Sequence, residues 1–256
     1  METNNGKEAG AGLLQTKEDS LMDKLTILAN GAKYDAACTS SGADRPGNKG
    51  LGSTIAAGCC HSFSADGRCI SLLKVLMSND CIYDCKYCVN RRTNDGERAS
   101  FTAEELAELT VQFYRRNYIE GLFLSSGVLK NPDYTMELMI RPLELLRYKH
   151  DFWGYIHAKT IPGAPPDLVW RRGLVADRLS VNIEMPSEDS LARLAPSKTR
   201  KAILAPMNMI ANGRRQNTQE LALYKKAPQF ASAGQATQMI IGASPESDYH
   251  ILRLAS

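Results

Sequence analysis

The chain has no cysteine after Cys88, and only His150, His157 and His250 follow that point. A zinc site made from paired cysteines wants a second pair downstream, and none is present. No apolar run approaches the ~20 residues of a membrane span. The stretch from Met1 to Ser20 is polar and has no apolar signal-peptide core. Charge of one sign is also scarce: 31 Lys and Arg against 28 Asp and Glu give +3, which is too little to argue for nucleic acid on charge alone. The cytosol is therefore the expected compartment, with no membrane partner. There, seven cysteines read better as metal or redox ligands than as disulfides.

The most specific feature present is a run of thiols. Cys81, Cys85 and Cys88 lie in Asn79-Asp80-Cys81-Ile82-Tyr83-Asp84-Cys85-Lys86-Tyr87-Cys88-Val89-Asn90, with Tyr87 directly before the last of them. Three cysteines fill three corners of a cubane iron–sulfur cluster and leave the fourth iron without a protein ligand. An open iron is a place for chemistry, whereas a closed four-cysteine site mostly carries electrons or holds structure. The rival reading of the same thiols is a zinc or purely structural site completed by a remote ligand. Upstream, Cys38, Cys60, His61 and Cys69 are candidates for a second cluster or zinc, since soft ligands suit either. Buried cysteines behaving as small hydrophobes are the alternative there.

The length of 256 residues suits one large domain or a medium domain with an appendage. Residues 1–20 are polar and read as disordered. Residues 21–69 read as an N-terminal extension: a short amphipathic helix closed by Gly31, then a glycine-rich loop leading to the upstream cysteines. From residue 70 to 256, strand and helix patterns alternate. Strands are expected at 70–77, 121–127, 154–160, 178–185 and 237–242. Helices are expected between them, one opening on a Thr102/Glu105 capping box and one, over 133–149, kinked or split at Pro142. Gly173 should close a helix over 167–172, and two helical stretches are expected at 187–212 and 216–226. This alternation predicts an α/β fold with parallel strands and crossover helices, either an open sheet or a barrel. In such folds function gathers at the C-terminal strand ends, and the cysteine motif directly follows the first strand.

The cysteine spacing, with its aromatic at Tyr87, resembles the signature of the radical S-adenosylmethionine (SAM) superfamily. The resemblance covers residues 70–254 and implies a partial (β/α)6 barrel with about five strands present. It also implies a 4Fe–4S cluster on Cys81, Cys85 and Cys88, SAM chelated to the open iron, and a reducing electron donor such as flavodoxin or ferredoxin. One electron then cleaves the sulfonium to methionine and a 5′-deoxyadenosyl radical, which takes a hydrogen from a substrate. Ser125-Ser126-Gly127 stands where many relatives meet the SAM amino group with Gly-Gly-Glu, so only backbone contacts are expected there. Asn182 and Glu184, two apart on one strand, look like the polar pair near the SAM ribose and amino group. Gly242, in Ile240-Ile241-Gly242-Ala243-Ser244-Pro245-Glu246, is similar to the glycine motif near the adenine.

More narrowly, segments such as Cys60-His61-Ser62-Phe63, Phe113-Tyr114-Arg115-Arg116-Asn117-Tyr118, Tyr155-Ile156-His157-Ala158-Lys159 and Gln238-Met239-Ile240-Ile241-Gly242 resemble a bacterial radical SAM family named for DNA modification or repair. This match runs from about Leu21 to the end and makes nucleic acid the expected substrate. Family members continue into a further barrel segment and a helix-hairpin-helix DNA-binding region. Against that pattern the chain is expected to be incomplete, with an open edge after its fifth strand, poor solubility and little affinity for duplex DNA. A tRNA-modifying radical SAM enzyme is the rival within the class. A non-catalytic iron–sulfur or zinc nucleic-acid-binding module is the rival outside it. Among the basic doublets, Arg91-Arg92 follows the cysteine loop and suits a phosphate or the SAM carboxylate. Arg115-Arg116, Arg171-Arg172, Arg214-Arg215 and Lys225-Lys226 suit a phosphate track or solvated helix faces. His157 and Lys159 share a strand face at the expected active end, as substrate contacts or as a satisfied core pair.

Overall fold

The computed structural model describes residues 20–33, 59–63 and 69–255, of which 59–63, 69–70 and 255 are described by their backbone alone. The readings for residues 1–19 and for Cys38 fall outside the described residues, as do those for the side chains of Cys60, His61 and Cys69.

Helix α1 covers residues 20–32. Its buried side chains, Leu25, Leu28, Ala29 and Ala32, recur at helical spacing and seat one face on the core. A mixed sheet follows, built from β1 (Cys59–Phe63), β2 (Cys69–Leu76), β3 (Gly121–Ser125), β4 (Tyr155–Lys159), β5 (Arg178–Ser180) and β6 (Gly234–Ala236). The spatial order equals the chain order. β1 runs antiparallel to β2, and β2 to β6 are mutually parallel. The connections carry α2 (Ala103–Arg115), α3 (Pro132–Glu144), α4 (Pro166–Val175), α5 (Glu188–Leu194) and α6 (Arg200–Leu223), and α7 (Asp248–Ala255) comes last. Five parallel strands, each reaching its neighbour through a crossover, form the partial β/α barrel that the alternation predicts.

Period-two alternation sorts the strand residues into two faces. Leu73, Val75, Leu122, Leu124, Ile156, Ala158 and Leu179 join one apolar core with residues of the helices. The other face forms rows set by the register. One row runs Lys74, Phe123, His157 and Arg178, and the next includes Ser125, Lys159 and Ser180. Polar side chains thus line the concave side of the sheet, beneath the C-terminal strand ends.

Several expectations change in detail. β1 was not anticipated; it pairs with β2 from Phe63↔Cys69 to Cys59↔Leu73. Gly31 does not close α1: it sits inside the helix, where an added Cβ would lie 2.9 Å from Leu76 Cδ1. Pro142 neither splits nor ends α3, which widens only afterwards into a π turn at Leu145–Lys149. Gly173 is not a stop signal either. It lies inside α4, where a Cβ would come within 2.0 Å of Phe230 Cε2, so close packing is its reason. Phe230 also stacks on Trp170, with centroids 4.6 Å apart, and locks α4 to α6. The break between α5 and α6 falls at residues 195–199, where Thr199 caps α6. The last strand is three residues earlier and shorter than expected, because its pairing becomes irregular. Val181, Ile183 and Ile240 donate backbone N–H groups to Ala236, Gln238 and Glu184, respectively.

Candidate active site

The loop carrying the cysteines leaves the C-terminal end of β2 and returns at Phe101, whose N–H donates to Met77 O at 2.9 Å. It has no regular structure to bind its own carbonyls, so side chains do so. Arg98 is the main one. Its guanidinium donates to Asn79 O at 2.6 Å, Asn90 O at 3.0 Å, Arg91 O at 2.8 Å and Asn94 O at 2.7 Å. Asn79 clamps the loop's two ends, donating to Glu97 O and accepting from Ala99 N. Asp84 accepts from both the backbone and the hydroxyl of Thr93, which holds its carboxyl below the ordinary range. Asn90 reaches Gly31 O at 3.2 Å and ties the loop to α1.

Within this frame, Cys81, Cys85 and Cys88 line one cavity of about 410 Å³ at the C-terminal strand ends. That volume falls in the range of ~300–1,000 Å³ for small-molecule sites. Cys81 Sγ accepts N–H groups from Tyr83 at 3.4 Å and Val128 at 3.3 Å. Burial pushes the Cys85 and Cys88 thiols up. Among the described residues, no three His, Cys, Asp or Glu side chains converge on a single ion. Cysteines that each bind a different iron of a cluster have no need to. The thiol donor set, the backbone N–H groups aimed at sulfur and the space beside them fit a cubane cluster.

Ser125, Ser126 and Gly127 form the wall at the end of β3. A Cβ on Gly127 would lie 2.6 Å from Asp80 O and 3.1 Å from Cys81 Cβ. The close approach of the β3 turn to the cysteine loop therefore requires glycine. Asn182 and Glu184 line the opposite wall. Glu184 has φ of +66°, a left-handed conformation that is unfavourable for a side-chain-bearing residue. Its Oε1 accepts from Lys198 Nζ at 2.7 Å, and the two side chains are only 9% and 14% exposed. Burial works against the Lys198 ammonium, but Glu184 and the neighbouring Tyr87 and Cys85 outweigh it and hold its pKa above that of a free lysine. The Tyr87 hydroxyl is buried at this site without a well-formed hydrogen bond.

Gly242 stands apart from the other candidates. It is exposed, has φ of +84°, and sits on the loop beyond β6, whereas Ile240 of the same segment lines the cavity. Arg91 and Lys159 also line the cavity; Arg92 is exposed. His157 lies one layer below, its Nε2 2.9 Å from Ser180 Oγ. Burial, then the cations Arg178, Lys159 and Arg172, push its pKa down to about 3, so its ring is neutral. Arg171 and Arg172 form no phosphate track: Arg171 pairs with Glu144 and Glu137, and Arg172 is fully buried against Met136 and Met139.

Lys198 and Arg98 were missed by sequence reasoning. Lys198 sits in Pro196-Ser197-Lys198-Thr199, just before the α6 cap, and that break was its only signal. Arg98 had none beyond proximity to the cysteines.

The family profile described as the Radical SAM superfamily matches residues 75–222. No curated protein matches the chain. Among solved structures, the FeFe-hydrogenase maturase HydG from Carboxydothermus hydrogenoformans is 17% identical, with a TM-score of 0.47. That match covers 54% of this chain and 32% of that one. Methylornithine synthase (PylB) is 13% identical, with a TM-score of 0.47, over 70% of this chain and 59% of that one. The chain thus spans less than two thirds of either protein. Among the described residues, no helix is long and apolar enough to cross a membrane.

Proposed function

The chain belongs to the radical SAM superfamily, whose enzymes use a 4Fe–4S cluster and SAM, and from that premise we propose that Cys81, Cys85 and Cys88 hold the cluster and that the adjoining cavity holds SAM. When bound, the pair supplies one-electron reductive cleavage of the sulfonium, giving methionine and a 5′-deoxyadenosyl radical. The observation that carries this assignment is that the three thiols, the β3 turn and the Glu184–Lys198 pair line one cavity.

The chain's own residues then have distinct tasks. Ser125, Ser126 and Gly127 offer backbone groups to the SAM amino group. Asn182 and the Glu184 carboxylate would face its ribose and amino group, with Lys198 holding the Glu184 carboxylate in place through their ion pair. Arg91 lines the cavity as a cation that would meet the SAM carboxylate. Ile240, from the same segment as Gly242, lines the cavity and would pack near the adenine. Leu76, Val128, Ile161 and Pro162 supply apolar wall, which excludes water from the reacting atoms. A flavodoxin or ferredoxin supplies the electron.

For the substrate, we take nucleic acid, on the resemblance to the bacterial family named for DNA modification or repair. The test is anaerobic reconstitution followed by reduction with SAM. We expect methionine and 5′-deoxyadenosine in wild type and neither in the triple Cys→Ala variant. Single-stranded DNA, duplex DNA and tRNA added in turn should then show which polymer gains a mass change. Absence of SAM cleavage from iron-replete protein would refute the site assignment, and cleavage with no polymer altered would refute the substrate.

A further inference from the structure

We propose that the face at the N-terminal ends of β3 and β4, opposite the cavity, docks single-stranded nucleic acid. Two loops build it. Arg115 ends α2, and Arg116, Asn117 and Tyr118 lead from it into β3; Tyr148, Lys149, His150, Asp151 and Trp153 follow α3 and lead into β4. The two loops are neighbours. Tyr114 packs edge-on against Phe152 with centroids 5.0 Å apart, and Tyr155 N donates to Glu120 O at 3.1 Å.

Four aromatic rings are left in water here: Trp153 at 81% exposure, Tyr148 at 74%, Tyr118 at 60% and Tyr114 at 41%. Leaving rings of this size in water forgoes burial that elsewhere drives folding. Trp153 is nonetheless held in place, its Nε1 donating to Asp151 Oδ1 at 2.7 Å, with Asp151 in a left-handed conformation at φ of +48°. Arg115, Arg116 and Lys149 are exposed beside these rings and pair with no described carboxylate. Of the nearby acids, Asp177 is ion-paired with Arg147, while Asp151 accepts from the Trp153 indole and Glu120 from the backbone of Ser71, and both keep their charge. What remains outward is flat rings interleaved with Arg115, Arg116 and Lys149, three cations against the two carboxylates of Asp151 and Glu120.

That chemistry matches unpaired bases on a phosphate backbone, where rings stack on base faces and cations meet phosphates. A protein interface also uses Trp, Tyr and Arg, but it depletes other charge from its core, whereas here Lys149 and Asp151 stand exposed among the rings. The surface extends the nucleic-acid reading above by adding a second point of attachment. Its test leaves the cavity aside, so either can fail alone.

The probe is a labelled dT oligonucleotide of about 12 nucleotides, a length within the site sizes of single-strand binders. It is titrated against the cluster-loaded full chain by anisotropy. Trp170 is stacked on Phe230, so quenching of the exposed Trp153 emission reports stacking at this face. We expect saturable quenching and a log–log salt slope of about −2, from ~0.7 per neutralised phosphate over three cations. Trp153→Ser, Tyr148→Ser and Arg116→Glu should each weaken binding by about tenfold, as the loss of one stacked base or phosphate contact predicts. These side chains are exposed, so unchanged iron content and melting temperature will show that the variants fold. No binding, binding indifferent to all three substitutions, or equal preference for a fully paired duplex would each overturn the proposal. So would a protein partner that these substitutions displace while oligonucleotide binding stays absent.

Discussion

Arg98→Met removes the guanidinium that holds the cysteine loop while keeping much of its apolar stem. Wild-type Arg98 donates to four carbonyls, at 2.6, 3.0, 2.8 and 2.7 Å, spread from Asn79 to Asn94 and so bracketing all three cysteines. A hydrogen bond from a charged donor contributes about 1.5–3 kcal/mol. The four are not additive, and the half-buried carbonyls of Asn90, Arg91 and Asn94 recover water once the loop opens. About 3 kcal/mol for the set is a conservative figure. At 1.4 kcal/mol per factor of ten, it raises the population of the opened loop about 100-fold. Any cluster held there becomes exposed to chelator in proportion. The assay is the rate at which visible absorption falls when anaerobically reconstituted protein meets an iron chelator, with iron per chain measured before and after. Wild type should lose cluster slowly, and Arg98→Met about 100-fold faster or never load fully. Arg98→Lys should fall between them, since an ammonium cannot span the same fork of carbonyls. Full loading of Arg98→Met with a wild-type loss rate would refute the claim that this side chain holds the loop.

Replacing Cys81, Cys85 and Cys88 together by alanine should abolish the visible absorption and the iron bound at this site, with far-UV dichroism little changed. Glu184→Gln should retain iron but weaken SAM binding at least tenfold by calorimetry, because it removes the carboxylate and leaves Lys198 buried without its partner. Gly127→Ala places a Cβ 2.6 Å from Asp80 O, so cluster loading should drop sharply, whereas Ser126→Ala should load normally. The hydroxyls of Ser187 and Ser190 hold the Glu246 carboxyl down to about 2. A lowered folded pKa stabilises above the ordinary glutamate value of ~4.3 and is lost as pH falls through the folded one. The melting-temperature advantage of wild type over Glu246→Gln should therefore be constant at neutral pH and shrink steadily from about pH 5 toward pH 2.

The parts of the fold that the sequence made legible are those where one signal dominates. Strands β2, β3 and β4 are short apolar runs bounded by glycine and proline, and α2 opens on the Thr102–Glu105 capping box that the structure contains. The misread parts are those where a distant residue decides. Gly173 looks like a helix stop in one dimension, and only the arrival of Phe230 beneath it shows why the helix needs a glycine and continues. The antiparallel β1 carries no strong alternation of its own, and its pairing with β2 is a tertiary choice. The end of the sheet shifted for the same reason: Gln238 O accepts from both Ile183 and Glu184, a pairing that no local pattern encodes.

The candidate site divides along the same line. Its thiols are legible because all three fall within eight residues, so their grouping is visible as spacing along the chain. Its ion pair is not, because Glu184 and Lys198 come from opposite sides of α5 and meet only after the chain has turned back. Glu184 adopts φ of +66°, at a cost of about 1–3 kcal/mol for such a conformation. Surrounding bonds hold it there. Glu184 N donates to Gln238 O, Ile240 N donates back to Glu184 O, and Arg200 caps the following turn through Met185 O at 2.9 Å. Those bonds fix Glu184 in this conformation, in which its carboxylate meets Lys198. Regular pairing of β5 ends at Ser180, and Glu184 lies in the irregular stretch that follows. That ordering, in which the sheet ends where the site begins, is why strand-level reasoning located the site's end of the barrel but not its charged pair.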